Sequence, residues 1–176
     1  MPAGYNTLFE MLDNTTSQLL TLISSLDETE LNTIPFKDSW TAAQLAWHVT
    51  KSNKGMAQAL EMEGAPANRD PAEGAEKFKK TFLDFTIKFN SPEFILPAEK
   101  NYQKEKVVAD LQHSIDLLSE ARGRVDLTEM INVPIFGETT KLELLYFVLY
   151  HTQRHIHQLK NILKSLQLVK AHHHKN

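Results

Sequence analysis

Leu144, Val148, His151, His155, Leu159, Ile162 and Leu166 follow one another at steps of three and four through the apolar segment Leu142–Leu168. That is the spacing of side chains stacked along one face of an α-helix, and a face this apolar has to be covered by other helices. Two of its positions are histidines. At i and i+4 their side chains are neighbours about 5–6 Å apart, so the pair can grip one ion. Leaving two imidazoles in a core is costly unless their nitrogens are satisfied.

The rest of the chain supplies the covering helices. Leu8, Met11, Leu12, Leu19, Leu22, Ile23 and Leu26 predict a first helix over Tyr5–Leu26, with Thr15 filling the gap between the two apolar groups. Asp27–Leu31 reads as one short turn. Thr41-Ala42-Ala43-Gln44 is a capping box, in which a hydroxyl meets the open N–H groups of a first turn and a Gln reaches back; it opens a second helix that runs to about Met62. Gly64–Pro71, with Pro66 and Pro71, breaks any helix. Residues 72–89 carry Phe78, Phe82, Phe85, Ile87 and Phe89 among lysines and predict another helix, less regular towards its end. Asn90–Asn101, holding Pro92 and Pro97, is a long connection. Lys104–Arg124 is a clear helix on Val107, Val108, Leu111, Ile115 and Leu118. Asp126–Thr139 reads as a loop anchored by Ile131, Val133, Ile135 and Phe136. A second capping box, Thr140-Lys141-Leu142-Glu143, opens the last helix, which continues to about Gln167. Alternating β-branched runs are missing and six glycines are few for hairpins, so no sheet is expected. Four long amphipathic helices and one shorter one predict an all-α bundle forming a single domain over residues 1–168, followed by a flexible tail at 169–176.

Composition removes several function classes. A net charge of −3 and no basic run give no general attraction to nucleic acid or an anionic membrane surface. The absence of cysteine excludes disulfides, thiolate ligands and a cysteine nucleophile, so a metal here needs histidine, carboxylate or water. Met1–Asn14 lacks the basic start and apolar block of a signal peptide, and no run approaches the ~18 apolar residues of a membrane span. A cytoplasmic protein is the expectation.

A catalytic zinc site takes three protein donors and keeps one position open. The second helix offers the third donor: His48 lies between Leu45 and Val49, one turn from Ser52, on the inward side. His48, His151 and His155 can therefore meet in the core as an open three-histidine site, and neutral imidazole suits zinc, nickel, copper or iron. The competing reading is a set of core histidines hydrogen-bonded to carbonyls or water. Gln158, three residues beyond His155, is a candidate to orient that ring, or simply an exposed Gln. His157 points about 200° away from His155, and His113 is off its helix's apolar stripe. The run His172-His173-His174 would bind metal adventitiously. A zinc protease has Glu directly after its first histidine, where this chain has Thr152, and there is no Gly-rich phosphate loop or Gly-x-Ser-x-Gly elbow. No carboxylate stands out as a general base. Trp40, Trp47 and Phe136 pin loops to the bundle end, Trp40 having the alternative of lining a pocket.

Trp40-Thr41-Ala42-Ala43-Gln44-Leu45-Ala46-Trp47-His48, then Phe136-Gly137-Glu138-Thr139-Thr140, then His151-x-x-x-His155-x-x-Gln158 together resemble the DinB-like superfamily in order and spacing. The resemblance spans most of the chain, with residues 63–103 matching only in being variable. It implies an up-down-down-up four-helix bundle, often a homodimer, with His48, His151 and His155 as ligands of a divalent metal, zinc or nickel foremost. For activity it implies a transferase that uses a low-molecular-weight thiol such as bacillithiol or mycothiol on a small electrophile. Metal-assisted hydrolysis and a non-catalytic, dimeric metal-binding bundle are the alternatives.

Overall fold

The computed structural model describes the backbone of residues 3–173 and the side chains of residues 4–167. Four long helices carry the architecture: α1 (Asn6–Ser24), α3 (Ala42–Leu60), α5 (Lys104–Arg124) and α6 (Lys141–His173), with two short ones, α2 (Glu28–Asn32) and α4 (Ala75–Phe82). Around the bundle α1 packs on α6 and α5, and α3 packs on α5 and α6. Residues 61–103 link α3 to α5, long enough to carry the chain back along the bundle, as the up-down-down-up order requires. Among the described residues no helix is long and apolar enough to cross a membrane. The expected tail at 169–176, with the side chains of His172, His173 and His174, lies outside the described side chains; the α6 backbone continues past Gln167 to His173.

Both expected capping boxes are present. Thr41 N–H donates to Gln44 Oε1 (2.9 Å) and Gln44 N–H to Thr41 Oγ1 (3.1 Å). Thr140 N–H donates to Glu143 Oε2 (2.9 Å) and Glu143 N–H to Thr140 Oγ1 (3.1 Å). A third box, Asp27 with Glu30, turns the expected short turn into α2. By closing the open N–H groups of the first turn, each box sets where its helix begins and hence which residues face inward.

Two expected elements need correction. Residues 72–89 form a helix only over Ala75–Phe82. Asp84 Oδ1 accepts from both the N–H (3.0 Å) and the hydroxyl of Thr86 (2.6 Å), a local alternative that competes with the helical ladder. The second correction is a small antiparallel sheet, β1 (Ala65–Pro66), β2 (Glu129–Val133) and β3 (Gly137–Thr140). β2 and β3 form a hairpin in which Val133 faces Gly137, Phe136 N–H donates to Val133 C=O (3.0 Å), and Gly137 takes φ 71°. Pro134 suits the second position of this turn, and Gly137 adopts the left-handed backbone that follows it. The sheet fastens the long crossover to the foot of α6.

The apolar core divides in two. One cluster includes Leu12, Met56, Leu118, Leu145 and Val148; the other includes Leu19, Val49, Leu111, Ile156 and Leu159. Between them each long helix contributes a buried polar residue: Thr16, Asn53, Ser114 and Thr152. Thr16, rather than Thr15, fills the gap in the α1 stripe, its hydroxyl donating to Leu12 C=O (2.9 Å). Asn53 Nδ2 donates to Ser114 Oγ (3.2 Å), and Thr152 Oγ1 to Val148 C=O (2.7 Å). Every member of this layer is hydrogen-bonded, which is what makes it tolerable in a core.

Candidate metal centre

The three histidines meet in this layer. His48 from α3 is 2% exposed, and His151 and His155 from α6 are each 7% exposed. His48 Nε2 lies 3.2 Å, and His155 Nε2 3.0 Å, from His151 Nε2. One ligating nitrogen from each ring lies within 4.8 Å of the others, so the cluster could hold a metal ion.

The outer nitrogens define the tautomers. His48 Nδ1 is 3.0 Å from Ile95 C=O, which can only accept, so that nitrogen carries the hydrogen. His155 Nδ1 is 3.0 Å from Gln158 Oε1 and carries its hydrogen for the same reason. Both rings therefore present bare Nε2 lone pairs to His151. A single N–H at His151 Nε2 can serve one of them well and leaves the other facing a nitrogen. A cation at the centre serves all three, and the Nδ1 partners are the kind that hold a ligating imidazole in orientation.

Electrostatics agree with that donor set. Burial, opposed by the Ile95 hydrogen bond, lowers the His48 pKa. Burial, with the neighbouring His155, His48 and Arg154, takes His151 well below its ordinary value. Burial and His48 bring His155 to about 3, against the Gln158 hydrogen bond. All three rings are neutral near pH 7, the form that ligates metals.

Aromatic rings close the cluster in. Trp40 lies 5.0 Å from His48 between ring centroids, Phe147 stacks 5.0 Å from His151, and Phe82 meets His151 edge-on at 5.9 Å. Arg154, one residue before His155, donates to the carbonyls of Phe82 (3.2 Å), Asp84 (2.9 Å) and Ile87 and lies over Phe89. It thereby holds the segment after α4 against the site.

The sequence-predicted residues His48, His151, His155 and Gln158 are thus brought together, and Trp40 joins them. His157 is exposed and stacks on Phe85, and His113 is exposed, both apart from the cluster as expected. Ile95, Phe82, Phe147 and Arg154 were not anticipated. The Ile95 contribution is a loop carbonyl, which any residue carries, so sequence holds no signal for it. Arg154, by contrast, sits on an inward turn beside two core histidines, and a charge there asks for partners.

A helical bundle with a buried three-histidine cluster between its second and last long helices is the class that fold and site define. The chain belongs to the DinB superfamily, whose family pattern matches residues 11–159. Two solved structures share the fold. One is TT2238, described as a four-helix bundle protein, at 20% identity and TM-score 0.57, covering 91% of this chain and 98% of that one. The other, a conserved protein from Enterococcus faecalis, has 15% identity and TM-score 0.59, with 93% and 99% covered. No curated protein matches the chain.

Proposed function

We propose that this protein binds a divalent ion, zinc or nickel, through the Nε2 atoms of His48, His151 and His155, and acts as a transferase joining a low-molecular-weight thiol, of the bacillithiol or mycothiol kind, to a small electrophile. The observation that carries the reading is the convergence of three Nε2 atoms whose opposite nitrogens are held by Ile95 C=O and Gln158 Oε1. When bound, the ion supplies a Lewis acid that lowers the pKa of a thiol. Three neutral imidazoles leave its charge uncompensated, and Arg154 adds another positive charge nearby, so an anionic partner is favoured in a site of low dielectric. Phe82, Phe147 and Trp40 keep water from the rings.

The burial of all three histidines favours a second reading, in which the metal only stabilises the bundle. Zinc and nickel titration calorimetry on the full chain and on His151→Ala tests metal binding, because the C-terminal histidines are common to both. The expected result is one tight site lost in the variant, and a ten- to hundred-fold weaker site in Gln158→Ala, about the effect of removing a ligand's hydrogen-bond partner. Equal titration of the full chain and His151→Ala overturns the metal reading. Adding 2-mercaptoethanol to the cobalt-loaded protein then separates the two readings: a changed visible absorption supports thiol chemistry, and an unchanged one leaves the structural role.

A further inference from the structure

A cleft of about 430 Å³, lined by none of the three histidines, is bounded by α3, the start of α5 and the segment 100–103. That volume lies within the range of small-molecule sites, about 300–1,000 Å³. Its charge is unlike that of the chain. The protein has 19 Lys and Arg against 22 Asp and Glu, yet Lys51, Lys54, Lys100 and Lys106 line this cleft with a single carboxylate, Asp110.

Two of the ammonium groups are placed by rings. Lys51 Nζ lies 5.5 Å from the centre of the Trp47 ring, and Lys100 Nζ lies 5.1 Å from that of Tyr102. A ring face attracts the cation without using up its hydrogen-bond donors, so both retain N–H groups for a ligand. Lys106 is paired with Asp110 (2.9 Å), which leaves Lys51, Lys54 and Lys100 as the excess positive charge.

Thr50 adds a hydroxyl to the cleft wall. It lines the cleft and is 5% exposed, yet its hydroxyl has no hydrogen-bond partner among the described residues. No fully covered side-chain N or O atom lacks a partner, so this hydroxyl reaches the space of the cleft. A hydroxyl open to the cleft, beside three uncompensated ammonium groups and two aromatic walls, is complementary to a doubly charged anionic group on a small flat body.

We propose that this cleft binds an aryl or similarly flat organic phosphate monoester. The phosphate sits among Lys51, Lys54 and Lys100 with Thr50 donating to it, and the body rests against Trp47 and Tyr102. The histidines are not part of its lining, and the binding needs no metal.

Phenyl phosphate is the probe, with inorganic phosphate and phenol as the two halves of its chemistry, followed by NMR on the full chain. Saturable binding at about millimolar concentration is expected. The shifts should centre on the Trp47 indole and Thr50, with inorganic phosphate binding more weakly and phenol not at all. Lys51→Ala with Lys54→Ala should weaken phenyl phosphate at least tenfold. Thr50→Val, which keeps the shape of the side chain, should weaken it about threefold, near the usual net worth of one hydrogen bond. Far-ultraviolet circular dichroism checks that both variants fold. The proposal is overturned if phenyl phosphate does not saturate, if its shifts map away from Trp47, or if the folded double variant binds as tightly as the natural chain.

Discussion

Glu143 is 2% exposed, in surroundings where a carboxyl group is ordinarily neutral. Burial pushes its pKa up, but Arg69, the Thr140 N–H and the Gly74 N–H outweigh burial and hold it below the ordinary carboxylate value. Arg69 Nη1 and Nη2 reach the two oxygens at 2.5 and 2.8 Å, and Gly74 N–H donates to Oε1 at 2.6 Å. A Cβ at Gly74 would stand 2.7 Å from Glu143 Oε1, so any other residue there has to displace the carboxylate from its partners. Half of this arrangement was legible: Thr140-x-x-Glu143 announces the cap. The rest comes from residues 69 and 74, and nothing local to either stretch records that they meet. Because the folded pKa is depressed, the ionised carboxylate stabilises the fold above the unfolded value of about 4.3, and that stability is lost as pH falls through the folded pKa. Glu143→Gln should cost about 3 kcal/mol at neutral pH, the scale for breaking a buried ion pair. In urea unfolding at a series of pH values the gap between variant and natural chain should narrow below about pH 4. A gap constant with pH would show that the charge contributes nothing.

At the scale of elements, the long helices were legible because their apolar periods run over many turns and two of them carry their own start signals. Lys104–Arg124 coincides with its expected bounds. The sheet was not legible, since its strands have two, five and four residues, too few for alternation to stand out, and β1 pairs with β2 from across the chain. The end of α4 was hidden for another reason. Phe85, Ile87 and Phe89 continue an apolar pattern, but Asp84 captures Thr86, and Arg154 takes three carbonyls that a continuing helix would have used itself. Arg154 thus stands in for the missing turn. Arg154→Ala removes these bonds, each worth about 1 kcal/mol net, so local opening should rise more than tenfold. Hydrogen–deuterium exchange should quicken in residues 83–90, with the α3 and α5 amides unchanged. Unaltered exchange in 83–90 would mean that Phe82 and Phe89 hold the segment without Arg154.

Across the whole molecule, the candidate site lies where the hydrophobic effect contributes least. The two apolar clusters hold the ends of the bundle, and the layer between them carries Thr16, Asn53, Ser114, Thr152 and the three histidines. The inward phase of α3 and α6 was readable from their stripes and capping boxes, which is why His48 could be matched to His151 and His155 across about a hundred residues of sequence. The aromatic cover over them was not, because the crossover that supplies Phe82 has no period to follow. In this layer the hydroxyls and Asn53 find partners, while the histidine nitrogens face one another, so a bound ion converts the weakest part of the core into a cross-link between α3 and α6. Ligand present at about a hundred times its Kd stabilises a fold by about 2.7 kcal/mol. For a domain of this size that corresponds to a rise in Tm of about 5–10 °C. Scanning calorimetry of zinc-loaded and chelator-treated full chain should show that rise, and His151→Ala should lack it. The lowered pKa values of the three rings add a second expectation. Protons compete weakly for these nitrogens, so most of the rise should persist near pH 6, where an ordinary histidine is largely protonated. A rise equal in the natural chain and in His151→Ala would assign the zinc to some other part of the molecule, the C-terminal histidines first.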